Sequence, residues 1–189
     1  MLTEKQFRER ARTELRQIGD QLRSLAADRD IYWKMEREII GRNPQLEGAR
    51  SAFLDMLRGC YADAMAARIL RLLDGNGLSL PSVLNTLAQQ QQILSDKITE
   101  REFTEDRNAL QQAAINLQRT LVPRTAHHER TLSALASLHR ELNAALDLMM
   151  EAVKTYYWII ADSYIEVDVQ YSGDPLAIFQ FAWAMPVLA

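Results

Sequence analysis

The chain has 189 residues, 48% of them hydrophobic and 25% charged, and carries a formal net charge of −3. A chain of this length fits one domain and can bury about 70% of its unfolded surface without disulfides or a structural metal. A single cysteine excludes an internal disulfide framework, and the acidic balance argues against bulk attraction to nucleic acid or to an anionic membrane.

The lone cysteine fits a reducing compartment. Met1 to Gln6 run straight into charged residues, so no signal peptide is expected, and no apolar run approaches the roughly 20 residues of a membrane span. A soluble cytoplasmic chain follows as the expectation. With only 7 glycines and 5 prolines, long helices have room to form. The basic residues are heavily arginine, which suits forked contacts to phosphate or carboxylate. A GC-rich genome gives the same bias.

The pattern predicts a first helix from Thr3 to about Ala27, with Thr3 and Gln6 at capping-box spacing. Phe7, Ala11, Leu15, Ile18, Leu22 and Leu25 form its apolar stripe. A second helix, about Arg29 to Ile40, ends at Gly41-Arg42-Asn43-Pro44. A third, about Gln45 to Leu73, carries Phe53, Met56, Leu57, Cys60, Ala64, Ala67, Leu70 and Leu73 at core spacing, with Cys60 read as a small core residue. Asp74-Gly75-Asn76-Gly77 is a turn, and Ser79 caps a fourth helix reaching Leu94.

A polar helix is predicted from Thr99 to Leu121, stopped by Pro123, and a long one from Ser137 to about Ser163, with Leu142, Leu146, Met149, Val153, Tyr157 and Ile160 facing inward. The tail then alternates through Ile165, Val167, Val169 and Tyr171, which predicts an extended strap or small hairpin. Asp174-Pro175 opens a short terminal helix bearing Phe179, Phe181 and Trp183. The predicted architecture is all-α: an antiparallel helical bundle over residues 1–164, with residues 165–189 packing on it as a tail.

One stretch concentrates chemistry. Arg119, Arg124, His127, His128 and Arg130 lie within twelve residues. An imidazole near neutral pKa can move protons to and from a ribose 2′-hydroxyl and a leaving oxygen, while a guanidinium holds the phosphate. With the 2′-hydroxyl as nucleophile, RNA can be cleaved without metal or cofactor, so none is expected. The bland alternative is a polar interhelical loop whose histidines cap a helix end or pair with Glu129. Other chemistries lack their residues: no zinc-ligand spacing, no repeated Glu-x-x-His, no Gly-rich phosphate loop and no Gly-x-Ser-x-Gly elbow occur.

Several short segments together carry a likeness. Asp30-Ile31-Tyr32-Trp33 leads to Asn43-Pro44-Gln45-Leu46, and Tyr61-Ala62-Asp63-Ala64 precedes Arg71-Leu72-Leu73-Asp74 and Leu78-Ser79-Leu80. Ala126-His127, the last long helix, Tyr164-Ile165 and the Phe179-to-Trp183 end complete the set. On these segments the chain resembles the AbiU-type abortive-infection proteins, a branch of the HEPN (higher eukaryote and prokaryote nucleotide-binding) superfamily.

The resemblance implies a bundle of four to six helices, often homodimeric, in a bacterial phage-defence or toxin–antitoxin system. It also implies metal-independent ribonuclease activity from an arginine and a histidine with four to six residues between them. His127 takes the family histidine's place, and His128 is its neighbour. Seven residues separate Arg119 from His127, and two separate Arg124 from it, so both arginines depart from the family spacing. Arg124 and Arg130 are candidate RNA contacts. Asp74, with Arg71, either orients His127 or forms a plain ion pair on one helix face. Two functions stay open: an RNA-cleaving homodimer, or a catalytically degenerate module that binds a protein partner such as an antitoxin or a nucleotidyltransferase.

Overall fold

Thr3 opens the first helix through a capping box: its hydroxyl accepts from the Gln6 backbone N–H at 3.3 Å, and Gln6 Oε1 accepts from the Thr3 N–H at 3.0 Å. Helix α1 then runs unbroken from Glu4 to Met35. The expected break near Arg29 is absent, because no Gly or Pro lies between Ala26 and Met35 and the i→i−4 ladder has no reason to stop. The chain passes directly into a π-helical turn, Glu36–Ile40, closed by the Gly41 N–H donating to the Glu36 carbonyl at 2.8 Å.

The computed structural model describes residues 3–43, 52–90, 97–121, 132–169, 171 and 173–177. Four more helices lie within these ranges: α2 (Ala52–Leu73), α3 (Leu80–Ala88), α4 (Glu100–Leu121) and α5 (Leu132–Ala161). No strand occurs among the described residues. The chain is an all-α helical bundle.

Side-chain bridges fix the directions. Arg58, Arg68 and Arg71 of α2 reach Glu36 of the π turn and then Asp28 and Gln21 of α1 in that order, so α2 runs antiparallel to α1. Arg29 meets Asp147 while Arg16 meets Tyr157, so α5 is antiparallel to α1 as well. Lys97, just before α4, reaches the Ile159 carbonyl, and Asp106 meets Tyr156, which sets α4 antiparallel to α5. The four long helices thus alternate up and down. Their inward faces meet at Leu15, Ile18, Leu22, Ile69, Leu110, Leu117, Leu146 and Val153, all fully buried. Helix α3 is capped by the Ser79 hydroxyl and lays Leu80, Val83, Leu84 and Leu87 against the bundle, touching α1, α2 and α4.

The stripes read for α1 and α5 are the buried ones; of the inward positions that the period of α4 predicts, Leu110 and Leu117 are buried, and Ala113, Ala114 and Leu121 are partly buried against the core. The stripe read for α2 is not the buried one. Ala62, Met65, Ala66, Ile69 and Leu72 face the core, whereas Met56 is 56% exposed and Cys60, Ala64 and Ala67 lie on the outside. Alanine, leucine and methionine surround this helix on several sides, so periodicity alone admits more than one inward face. Cys60 is therefore an exposed thiol rather than a core residue.

Helix α5 ends where Asp162 takes a left-handed conformation (φ 51°), a geometry Asp tolerates because its short side chain bonds locally. The tail then lies as an extended strap. Val167 is fully buried and Leu176 nearly so, and Tyr171 donates its hydroxyl to the Ala27 carbonyl at 3.0 Å. Gly19 of α1 makes room for this strap: a Cβ there would stand 2.8 Å from Ile165 Cδ1. Asp174 caps the turn that follows, accepting from the Leu176 N–H at 2.9 Å. The terminal helix expected over Phe179 to Trp183 falls outside the described residues, as do residues 44–51. Helix α3 does not continue toward Leu94: it ends at Ala88, and Gln89 and Gln90 form a turn in which the Gln90 N–H donates to the Leu87 carbonyl at 2.9 Å. Among the described residues, no helix is long and apolar enough to cross a membrane.

Candidate functional site

Arg124, His127, His128 and Arg130 lie outside the described residues. The helices that bracket them are well placed, since α4 ends at Leu121 and α5 begins at Leu132. Arg119 stands in the last turn of α4, exposed, with no ion pair among the described residues. Arg71 and Asp74 sit elsewhere. Arg71 donates to Gln21 Oε1 at 2.9 Å, and Asp74 accepts from Asn76 Nδ2 at 3.1 Å, so the expected pairing of the two does not form. Gln21 faces Arg71 across the helix interface and outcompetes Asp74, which belongs to the turn beyond the helix end. Arg71 is also about 20 Å along α2 from Arg58, toward the end of the bundle away from the start of α5.

At the near end, a cluster assembles from three helices. The π turn carries Glu36, whose two carboxylate oxygens accept from Arg58 Nε and Nη2 at 2.8 and 2.9 Å. The two side chains are only 14% and 15% exposed. Tyr32, one turn earlier, hydrogen-bonds the same carboxylate and stacks on Tyr61 with ring centres 3.8 Å apart and planes 2° from parallel. His139 of α5 is 8% exposed and meets the rings of Tyr32, Trp33 and Tyr61 edge-on at 5.2, 5.5 and 5.8 Å.

The electrostatics follow from this packing. Burial alone would raise the Glu36 carboxyl, but the Arg58 fork outweighs it, helped by Tyr32 and His139, and holds the group below the usual glutamate range. Arg58 is held above its ordinary value by the hydrogen bonds to Glu36. Burial, then the Glu36 charge, pushes the Tyr32 phenol up; burial pushes Tyr61 up to about 12. Both phenols stay protonated donors at neutral pH.

No family model, curated protein or solved structure matches the chain.

Its chemistry is therefore read from its own side chains. The Glu36 carboxylate and the Arg58 guanidinium are nearly out of water and turned on each other, and His139 is walled in by rings. The cluster is a lock that orients the ends of α1, α2 and α5, with no acid, base or nucleophile presented to solvent. Among the described residues, no three His, Cys, Asp or Glu side chains converge to hold a metal. A second titratable spot lies far along α1, where Tyr157 Oη accepts from Arg12 Nε at 3.4 Å and Arg16 Nη2 at 3.0 Å. Burial would raise that phenol, but the two guanidiniums prevail and lower it.

Sequence reasoning passed over Glu36, Arg58 and His139. Glu36 and Arg58 have no local spacing signal, and His139 sits at a core position between Leu138 and Leu142. Tyr32, Trp33 and Tyr61 belong to the two short motifs that carried the family likeness, and that was the available clue.

Proposed function

We propose that this chain is a HEPN-like protein of a bacterial phage-defence or toxin–antitoxin system that cleaves RNA without a metal. His127 serves as general acid/base, with His128 beside it, and Arg119 holds phosphate together with Arg124. The observation that carries this reading is the state of Arg119. It is an exposed guanidinium with no ion pair among the described residues, in the last turn of α4, within the same twelve-residue stretch of sequence as the histidines. A helix C-terminus favours a cation, so the arginine is well tolerated there while its fork stays available to a ligand.

The chemistry needs no cofactor. The imidazole takes the proton of the 2′-hydroxyl, that oxygen attacks the adjacent phosphorus, and the bond from phosphorus to the 5′-oxygen breaks, leaving a 2′,3′-cyclic phosphate; the departing 5′-oxygen takes a proton from an imidazolium, and the guanidinium offsets the charge that grows on the phosphoryl oxygens. Purified protein incubated with total RNA tests it: wild type cleaves, His127→Ala loses at least a hundredfold, and Arg119→Ala loses about tenfold or more. Expression of wild type, but not of His127→Ala, arrests growth. Equal cleavage by wild type and His127→Ala would sink the reading.

A second reading draws on α2. Its outer face exposes Met56, Cys60, Ala64 and Ala67, an apolar row on a helix whose other side is already buried. A helical module that docks a protein partner, whether an antitoxin, a nucleotidyltransferase or a second copy, would use such a face. Light scattering of wild type and Met56→Glu separates the cases, because loss of a complex on substitution supports docking at α2.

A further inference from the structure

Beside the buried lock lies an open groove of about 570 Å³ between the C-terminal third of α1 and the strap. Arg29, Asp30, Trp33 and Lys34 of α1 and Arg37 of the π turn line one wall, and Tyr171 lines the other. In a chain of net charge −3, three cations against one carboxylate is a local reversal of sign.

The cations are not equivalent. Arg29 is engaged with Asp147, and Lys34 pairs with Asp30 at 3.2 Å while lying 4.7 Å over the Tyr171 ring. Arg37 is exposed and has no ion pair among the described residues. The rings differ as well. Tyr171 is fixed by its hydrogen bond to the Ala27 carbonyl and by Lys34 above it, so it forms a rigid wall. Trp33 is half-buried, braced from behind by edge contacts to Tyr32 and His139, and lines the groove. A braced aromatic beside an unpaired guanidinium is the combination that binds a base by stacking and its phosphate by charge.

We infer that this groove binds single-stranded RNA, with a base stacked on Trp33 and the adjoining phosphate on Arg37. The inference rests on the RNA-directed reading and gives it a binding site built from α1, the π turn and the strap. An acidic peptide would satisfy Arg37 and Lys34 but has no use for the tryptophan. Glu36, next to Arg37, does not repel the phosphate strongly, because Arg58 neutralises it.

The probe is a labelled twelve-nucleotide 2′-O-methyl oligouridylate, which lacks the hydroxyl needed for cleavage and so reports binding alone. Anisotropy with the full chain should show binding that weakens with salt. Arg37→Glu should weaken it about tenfold or more, and Arg37→Ala should lower the salt slope by about one. Arg37→Lys should restore most of the affinity. A 4-thiouridine probe should cross-link to peptides containing Trp33 or Tyr171. Arg101→Glu, at an exposed arginine near the start of α4 and the far end of the bundle, should bind as wild type does.

If wild type binds this probe yet leaves ordinary RNA intact, the cleavage reading falls and the groove stands. Unchanged affinity in Arg37→Glu, equal loss in Arg101→Glu, or no binding at all would overturn the groove. Tighter binding of polyglutamate than of RNA would reassign the groove to an acidic protein partner and equally overturn the proposal. Arg37 is exposed and outside the core, so these variants fold and every result is decisive.

Discussion

Arg58 grips Glu36 through two nitrogens at 2.8 and 2.9 Å, and in doing so ties the first third of α2 to the π turn that ends α1. The fork is nearly out of water, so its rupture leaves a buried charge without its partner. Arg58→Met should destabilise the fold by about 3 kcal/mol or more. The double variant Glu36→Met/Arg58→Met should recover much of that loss, since an apolar pair carries no desolvation penalty. Urea denaturation of the two variants checks both. A single variant as stable as wild type would show that the pair is not locked.

The same pair gives a pH dependence of definite sign. Glu36 titrates below the ordinary glutamate range when folded. Between its folded value and the unfolded one, about 4.3, the unfolded chain binds more protons. The contribution is therefore complete above the unfolded value and is lost as pH falls through the folded one. Glu36→Gln should flatten the acid limb of a stability–pH curve, measured as the urea midpoint from pH 6 to 3.

Tyr156 is fully buried and donates to Asp106 Oδ2 at 2.9 Å. Tyr156→Phe keeps the ring and removes one hydrogen bond to a charged acceptor. Because Asp106 is only half-buried, water can replace the lost donor, so the cost should fall near the lower end of about 1.5–3 kcal/mol. A thermal shift of a few degrees is the readout.

Tyrosine ionisation offers a spectroscopic check on the cationic spot along α1. The Tyr157 phenol is lowered by Arg12 and Arg16, whereas Tyr61 and Tyr171 are pushed up to about 12. Alkaline absorbance titration of native protein should show an early phenolate that disappears in Tyr157→Phe. In Arg16→Ala it should move back toward the ordinary value.

Gly19 tests the seat of the strap. A single methyl meets only the flexible end of Ile165, and alanine gains helix propensity, so Gly19→Ala should be close to neutral. Gly19→Leu has no such space, because Val167 and Val153 lie 3.5 and 3.6 Å from the Cβ position. It should cost about 1–3 kcal/mol and expose the strap to limited proteolysis.

Much of the fold was legible because helices are local. Capping at Thr3 and Ser79, the turn at Asp74–Gly77 and the stripes of α1, α4 and α5 all depend on residues three or four apart. The junction near Arg29 was misread for want of a true breaker. The face of α2 was misread because its apolar residues surround the helix, so the choice between Cys60 and Met65 as the inward residue waited on where α1, α4 and α5 lay.

By itself the sequence determined an all-helical chain, its main element boundaries and three of its buried faces, since hydrogen-bond ladders and apolar periods are written within a few residues. Only the tertiary structure decided that Glu36 meets Arg58, that His139 is enclosed by Tyr32, Trp33 and Tyr61, and that the strap forms a groove with α1. Those contacts join residues 22 to more than 100 positions apart, and nothing in local spacing encodes which helix ends will meet.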